Sequence, residues 1–362
     1  MLLAQGRQLS TFGSVSLKKL IVISSFTLFF LSGLIYSVNV KNLKFEIFFK
    51  ESDSDSNYIF THPYQFAVDK NLSLYIVDYK DCIVRKYDNK GKFVFSCGKR
   101  GVGPGELNGI ERIIITNDYL LIIGFNMINF YDNEGKLVQS SRHNIKNAYD
   151  LLYDQLSDVY ISYRIDEKTK RFLLSLRKID DTLISEVASY PATDRVIEGL
   201  GRPMPCYLFE KIAFGINSKK DVIYAFSEKF EVFSSSGAKL NLIIKEKVSP
   251  VIIPEDIRKN INGEIAEGVV NGVIKRISCT PPEYYSMIQD LMIDEKDNIW
   301  IKALTSEFNG FIKYSQEGKM LGKYQINNEY NYDHYDWFII GGYLYHRIYD
   351  REEGLKILRA KL

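Results

Sequence analysis

Proline is scarce in this sequence, nine in 362 residues, and cysteine and histidine are scarcer still at four each. Little proline beside 25 tyrosines and 22 phenylalanines excludes a disordered or low-complexity chain, which cannot gather so much aromatic surface. Neither sign of charge is in excess. Forty-seven basic residues face 45 acidic ones, for a net +2, and no basic run interleaved with aromatics stands out, which excludes a nucleic-acid partner. The histidines, His62, His143, His334 and His346, are dispersed, with no H-E-x-x-H and no paired Cys/His spacing to hold zinc. A G-x-S-x-G nucleophile elbow is also missing.

One long apolar run is present. After Arg7, Lys18 and Lys19 the chain reads LIVISSFTLFFLSGLIYSV from Leu20 to Val38, long enough as a helix to cross a hydrocarbon core of about 30 Å. The preceding positive charge favours keeping residues 1–19 in the cytoplasm and sending the remainder across, although Lys41 and Lys44 reduce that asymmetry. Two readings stand: an uncleaved signal anchor over 20–38, or a signal peptide. The run is longer than an ordinary signal core, and Ser37-Val38-Asn39 makes a poor cleavage site.

Beyond this segment a phrase recurs. YDNKGKFV begins at Tyr87 and YDNEGKLV at Tyr131, 44 residues apart. A period in the 40s within β-rich sequence indicates propeller blades. Four short strands follow one another in the first unit, as QFAVD, LYIVDYK, CIVRKYD and KFVFSCG, and the second unit repeats them from Ile110. Four further units run to the C-terminus, the last beginning near Tyr332 with three strands only. The spare strand is Leu43–Lys50, LKFEIFFK, whose Phe45, Ile47 and Phe49 form a one-sided apolar face. The expectation is therefore an all-β, six-bladed β-propeller of four-stranded antiparallel blades over 43–362, closed by the N-terminal strand and preceded by one hydrophobic helix.

Turn residues agree. Gly91, Gly135, Gly237 and Gly318 each end a hairpin loop where a type I turn and a left-handed residue make a bulge. A three-residue loop closing at Gly91 sets Asp88 opposite Lys92 and Ile83 opposite Cys97, turning Cys82 and Cys97 to opposite faces. All four cysteines, Cys206 and Cys279 included, are expected as free thiols.

The stretch from Phe66 to Ile110, with its GKRGVGPGEL tail, resembles the NHL-type repeat and the six-bladed β-propeller proteins of bacterial envelopes, strongly over Gln65 to Val138 and more weakly beyond. The resemblance implies architecture more than activity, since related propellers include peptidyl-amidating lyases, calcium-dependent lactonases and non-enzymatic binding modules.

The glycine-rich Gly101–Glu106 lacks the Gly-Lys-Ser/Thr ending of a phosphate loop and opens no helix, so it reads as a connector between blades. Aligning inner strands on Asp69, Thr116, Asp154, Asn217, Asp294 and Gly341 selects Gln65, Arg112, Asp150, Ala213, Asp290 and Trp337 four positions earlier. Of these, Gln65, Arg112, Asp150, Asp290 and Trp337 are the ligand-binding channel candidates. The preferred reading of these polar groups is that they are hydrated and bond one another around the axis, as every propeller channel must arrange. Between the fourth and fifth units, residues 246–282 form an insertion, expected to be helical because Ile257, Ile261, Ile265 and Val269 are spaced by four after Pro254.

No catalytic or metal-ligating set is assigned, and no cofactor is expected. The sequence points to a monomeric, extracytoplasmic binding module of the cell envelope, tethered to the membrane by its N-terminal segment, with a protein, peptide or glycan partner on one propeller face. The alternative is a metal-dependent hydrolase or lyase, lactonase-like or peptidyl-amidating-lyase-like, holding calcium or zinc in the channel.

Overall fold

A computed structural model of the chain describes residues 40–142, 150–154, 159–166, 169, 171–178, 182–191, 196–197, 204–205, 212–226, 229–236, 239–261, 266–270, 273–277, 282–326, 337–350 and 352–362. The apolar run Leu20–Val38 lies outside these residues, as do Cys206 and Cys279. Among the described residues no helix is long and apolar enough to cross a membrane.

The chain folds as a six-bladed propeller of four-stranded antiparallel sheets. Blade 1 comprises Pro63–Val68, Leu74–Asp78, Ile83–Tyr87 and Phe93–Cys97; blade 2 comprises Arg112–Ile115, Leu120–Ile123, Met127–Tyr131 and Leu137–Arg142. Blade 3 runs from Asp150–Asp154 to Leu183–Pro191, blade 4 from Ile212–Ile216 to Lys239–Lys245, and blade 5 from Ile288–Ile293 to Met320–Gln325. Blade 6 takes Trp337–Ile340, Tyr343–Asp350 and Gly354–Lys361 from the C-terminus. The first strand of each blade is innermost, and Pro63–Val68 lies against both Arg112–Ile115 and Trp337–Ile340.

Both faces of each sheet are covered, which explains the unbroken apolar second strands. In LYIVD every residue is buried. Tyr75 and Val77 pack with Ile113 and Ile122 of blade 2, while Leu74 and Ile76 pack with Tyr345 and Ile357 of blade 6. Period-two alternation thus sends successive side chains to opposite neighbours.

The N-terminal residues add to two blades. Val40–Asn42 pairs in parallel with Met320–Gln325, making blade 5 five-stranded, and Phe45–Lys50 pairs antiparallel with Gly354–Lys361. Between them Leu43 is buried, its N–H donating to the Gln325 carbonyl at 3.0 Å. Glu51 then accepts the backbone N–H groups of Phe60 and Leu355, each at 2.8 Å. The expected apolar face is only partly right. A bulge at Phe48 leaves Ile47 exposed while Phe49 is buried among Tyr58, Phe60 and Tyr87.

A second bulge also corrects the hairpin register. Asp88 does pair with Lys92 around a left-handed Gly91, but Tyr87 opposes Phe93 and Lys86 opposes Phe95, so Val94 is extruded. Val84 therefore stands opposite Cys97, not Ile83. The same irregularity extrudes Val138 in blade 2 and Leu321 in blade 5, and all three are exposed. Cys82 and Cys97 are free and buried, and burial pushes the Cys97 thiol up to about 12.

The insertion departs from the helical expectation. Among the described residues of the insertion only Glu255–Ile261 is helical, and Ala266–Val270 pairs antiparallel with Val273–Ile277. The four-residue isoleucine spacing misleads here. Gly263 weakens the helix, and a run of β-branched residues flanks Asn271-Gly272, the residue pair most favoured in two-residue hairpin loops. Its ends are joined by Ile253 N–H to the Glu283 carbonyl and Tyr285 N–H to the Val251 carbonyl, both 2.9 Å.

A form beginning at Ser52 is expected to unfold at lower temperature and less cooperatively than one beginning at Val40. It loses the burial of Leu43 and Phe49, about 1.5–3 kcal/mol each, and exposes the ladder of Gly354–Lys361. Calorimetry of the two forms checks this; coincident transitions would contradict it.

Candidate functional site

Each inner strand runs from a side carrying the blade-to-blade connections to a side carrying short turns, and the two sides differ in chemistry. On the turn side, Oδ1 of Asp69, Asn217 and Asp294 each accepts the backbone N–H groups two and four residues on, at 2.8–3.0 Å. The second Asp69 oxygen accepts from the Tyr75 hydroxyl at 3.3 Å, with the Lys86 ammonium at 3.8 Å. That of Asp294 accepts from the Trp300 indole at 2.9 Å and meets Lys313 at 3.1 Å. Both lysines also lie over their blade's aromatic ring, Lys86 over Tyr75 at 5.0 Å and Lys313 over Trp300 at 4.8 Å. Burial alone would raise the Asp294 pKa, but the Trp300 indole, the Asn298 donors and Lys313 outweigh it and hold the carboxyl below its ordinary value.

Neighbouring blades are joined on this side. Lys70 Nζ donates to Asn117 Oδ1 at 3.1 Å, Ser218 N–H to Asp297 Oδ1 at 2.8 Å, and Gly341 N–H to Glu295 Oε1 at 2.6 Å. The polar groups of the turn side are thus largely engaged with one another.

The connection side carries Gly101–Glu106, the neck of the insertion and the starts of the inner strands. Its glycine-rich loop is filled by its own side chain. Glu106 Oε2 accepts the N–H groups of Val102 and Gly103 at 3.1 and 3.0 Å, and Oε1 meets Lys99 at 2.9 Å. Lys99 is the main cause of the lowered Glu106 pKa. A Cβ at Gly101 would stand 2.0 Å from Glu106 Oε2, so a side chain there would displace the Glu106 carboxylate.

All five channel candidates lie on inner strands near this side. Gln65 is paired with Val77, Arg112 with Ile123, Asp150 with Tyr163, Asp290 with Lys302 and Trp337 with His346. Gln65 Nε2 donates to the Glu111 carbonyl at 3.1 Å, linking blade 1 to the residue before Arg112. Arg112 shares its sheet face with Ile114, toward Tyr160 of blade 3. For Asp150 only the strand position is described.

Asp290 and Trp337 stand on facing sheet faces of blades 5 and 6. Asp290 lies on the sheet face of Met292, toward blade 6, and accepts the Leu291 N–H at 2.9 Å. Trp337 turns back toward blade 5, its ring edge-on to Phe311 at 5.2 Å. The reason is turn length. Blade 6 closes over Gly341-Gly342 alone, with Ile340 opposite Tyr343, whereas blade 1 passes from Val68 to its partner Leu74 through five residues.

Two further residues, Lys302 and His346, pack against the Trp337 ring. Lys302 is 0% exposed with its ammonium 5.0 Å over the Trp337 ring, and His346, 2% exposed, stacks on the same ring at 3.9 Å and 10°. A signal for Lys302 was present: a lone lysine in IWIKA, where blades 1, 2 and 4 carry Val77, Ile123 and Ala225 at the matching register. Trp337 Nε1 and Oε1 of the neighbouring Gln289 are buried without a hydrogen-bond partner. Each such atom costs about 1–3 kcal/mol while unsatisfied. Among the described residues no group of three or more His, Cys, Asp or Glu is placed to hold a metal ion.

No protein-family model matches the chain, and no curated protein does. Solved structures are similar in fold. A Bacteroides fragilis protein described as exported by inference is 10% identical with a TM-score of 0.51, covering 88% of this chain and 95% of its own. A DUF4221 family member from Bacteroides vulgatus is 9% identical, with a TM-score of 0.48 and coverage of 89% and 98%. Virginiamycin B lyase from Staphylococcus aureus is 9% identical, with a TM-score of 0.40 and coverage of 89% and 99%. The first supports the propeller fold and no particular activity.

Replacing Asp294 by Asn should lower the melting temperature at neutral pH. Because the folded pKa lies below the ordinary 3.8, the carboxylate's contribution is present above that value and disappears as pH falls through the folded pKa. The gap between wild type and Asp294→Asn should therefore close below pH 3.8; a gap unchanged there would refute the assignment.

Proposed function

We propose that this propeller is a non-enzymatic binding module of the cell envelope that engages a protein, peptide or glycan on its connection side. The observation that carries the reading is the contrast between the sides. Short turns on one side satisfy their own backbone and one another, whereas the other side holds the insertion, the glycine loop and the ends of inner strands bearing Gln65, Arg112 and Asp290. Loops held on a rigid closed scaffold are where recognition residues are tolerated and positioned.

The domain acts as a monomer in this reading, its ring closed by the N-terminal strand, a closure supported by the pairing of Phe45–Lys50 with Gly354–Lys361. Replacing Arg112 by Ala, or excising residues 255–281, should abolish binding in arrays of envelope glycans and peptides while leaving the far-ultraviolet circular dichroism unchanged. Lys70→Ala, on the turn side, should bind normally. Binding lost with Lys70→Ala and kept by the other two variants would reverse the assignment of sides.

Residues 20–38 serve as an uncleaved membrane anchor, placing the propeller outside the cytoplasm. Protease added to spheroplasts should digest the domain, which should otherwise stay with membranes through a high-salt wash. Protection from protease in intact spheroplasts would overturn this topology.

A further inference from the structure

We infer that the aromatic corner of blade 1 on the connection side, formed by His62, Tyr64 and Tyr79, is a stacking platform for a pyranose ring of a glycan. The inference rests on the reading that this side is the ligand side. Tyr64 is the extra residue of a bulge between Pro63 and Gln65, at the start of the innermost strand, and it is 44% exposed. The corresponding bulge of blade 5 leaves Gln289 only 5% exposed, so the bulge alone does not account for an exposed ring here. The Tyr79 ring stands 5.5 Å from that of Tyr64 and 6.0 Å from that of the exposed His62, tilted by 57° and 62°. Three rings thus gather at one corner.

The corner is held by a carboxylate that no other blade has. Asp78 is fully buried and accepts the backbone N–H groups of Thr61 and His62 at 2.8 and 3.0 Å, with Arg85 at 3.3 Å. At the matching position the other blades carry Gly124, Arg164, Phe226, Ala303 and Arg347. The His62 carbonyl accepts the Tyr79 N–H at 2.9 Å, and Arg347 of blade 6 donates to the Pro63 carbonyl at 2.9 Å. A backbone fixed in this way has little freedom left to lose on binding.

The chemistry of the corner selects a sugar over a proline-rich peptide, which also docks on exposed aromatic rings. A pyranose presents weakly positive C–H groups to the negative face of an aromatic ring, and its edge carries hydroxyls that both donate and accept. Asp81, in the turn Tyr79–Cys82, supplies an acceptor two residues after the Tyr79 ring, its Oδ2 receiving the Thr61 hydroxyl at 3.0 Å. Proline has no N–H to offer that carboxylate, whereas a sugar hydroxyl donates to it.

Saturation-transfer NMR on the full chain in lipid nanodiscs tests this, with cellobiose, chitobiose and mannobiose as probes and tetraproline as the rival. At least one disaccharide should receive saturable transfer, strongest at its ring C–H protons. Tyr64→Ala should weaken that binding at least about tenfold at an unchanged melting temperature, because the ring it removes is exposed, whereas Tyr64→Phe keeps the ring and should keep the binding. Asp81→Asn, which leaves all three rings in place, should also weaken it. Tyr284→Ala, at a 40% exposed tyrosine beside the insertion, should bind as wild type. No transfer to any of the disaccharides, undiminished binding in Tyr64→Ala or Asp81→Asn, or tetraproline as the only probe bound would overturn the inference. If the sugars fail while array binding by the connection side persists and still requires Arg112, only the pyranose assignment falls.

Discussion

A β-sheet that is apolar on both faces cannot stand alone in water, and that constraint governs the molecule. Leu74, Tyr75, Ile76 and Val77 are successive residues of one strand, yet all are buried, because alternate side chains go to different neighbouring blades. A blade is therefore stable only between two others, and the row of blades must return on itself or leave an apolar face and an open edge. At the seam the strand Phe45–Lys50 pairs with Gly354–Lys361 of blade 6. Its Phe49 packs with Tyr87 of blade 1 and Leu355 of blade 6, so residues more than 300 positions apart share one cluster.

Polar residues divide by role within this frame. Asp69 and Asp294 stand at equivalent turns and repeat one arrangement: backbone N–H groups on one oxygen, a ring donor and a lysine on the other. Such repetition marks scaffold. Lys302 and His346 stand at one register, where blades 1, 2 and 4 carry Val77, Ile123 and Ala225, and so depart from the repeat. Departures of this kind are where binding chemistry is to be sought.

How much of this was legible in the sequence follows from which features are local. Blade number, strand order and the glycine-ended hairpins follow from the YDNxGK repeat and from period-two runs, which depend on near neighbours alone. The bulges at Phe48 and Val94 were not legible, because extrusion of one residue leaves hydrophobicity almost unchanged while shifting every partner beyond it. Turn length had the same effect on Trp337. The alignment took Gly341 as equivalent to five-residue turns, and the side chain faces blade 5 instead of following the sense of Asp290. Asp290, Trp337, Lys302 and His346 come from strands of two blades, and only the closed ring fixes their meeting. The insertion misled because a spacing of four outweighed the β-branched residues around Asn271-Gly272.

Hydrogen exchange followed by mass spectrometry on the form beginning at Val40 tests the closed ring most directly. Peptides covering Phe45–Lys50 and Gly354–Lys361 should exchange together, at the rate of buried strands such as Leu74–Asp78, because opening the seam uncovers the faces of blades 1 and 5. Fast exchange of both seam peptides while Leu74–Asp78 stays protected would contradict a ring whose stability depends on that closure.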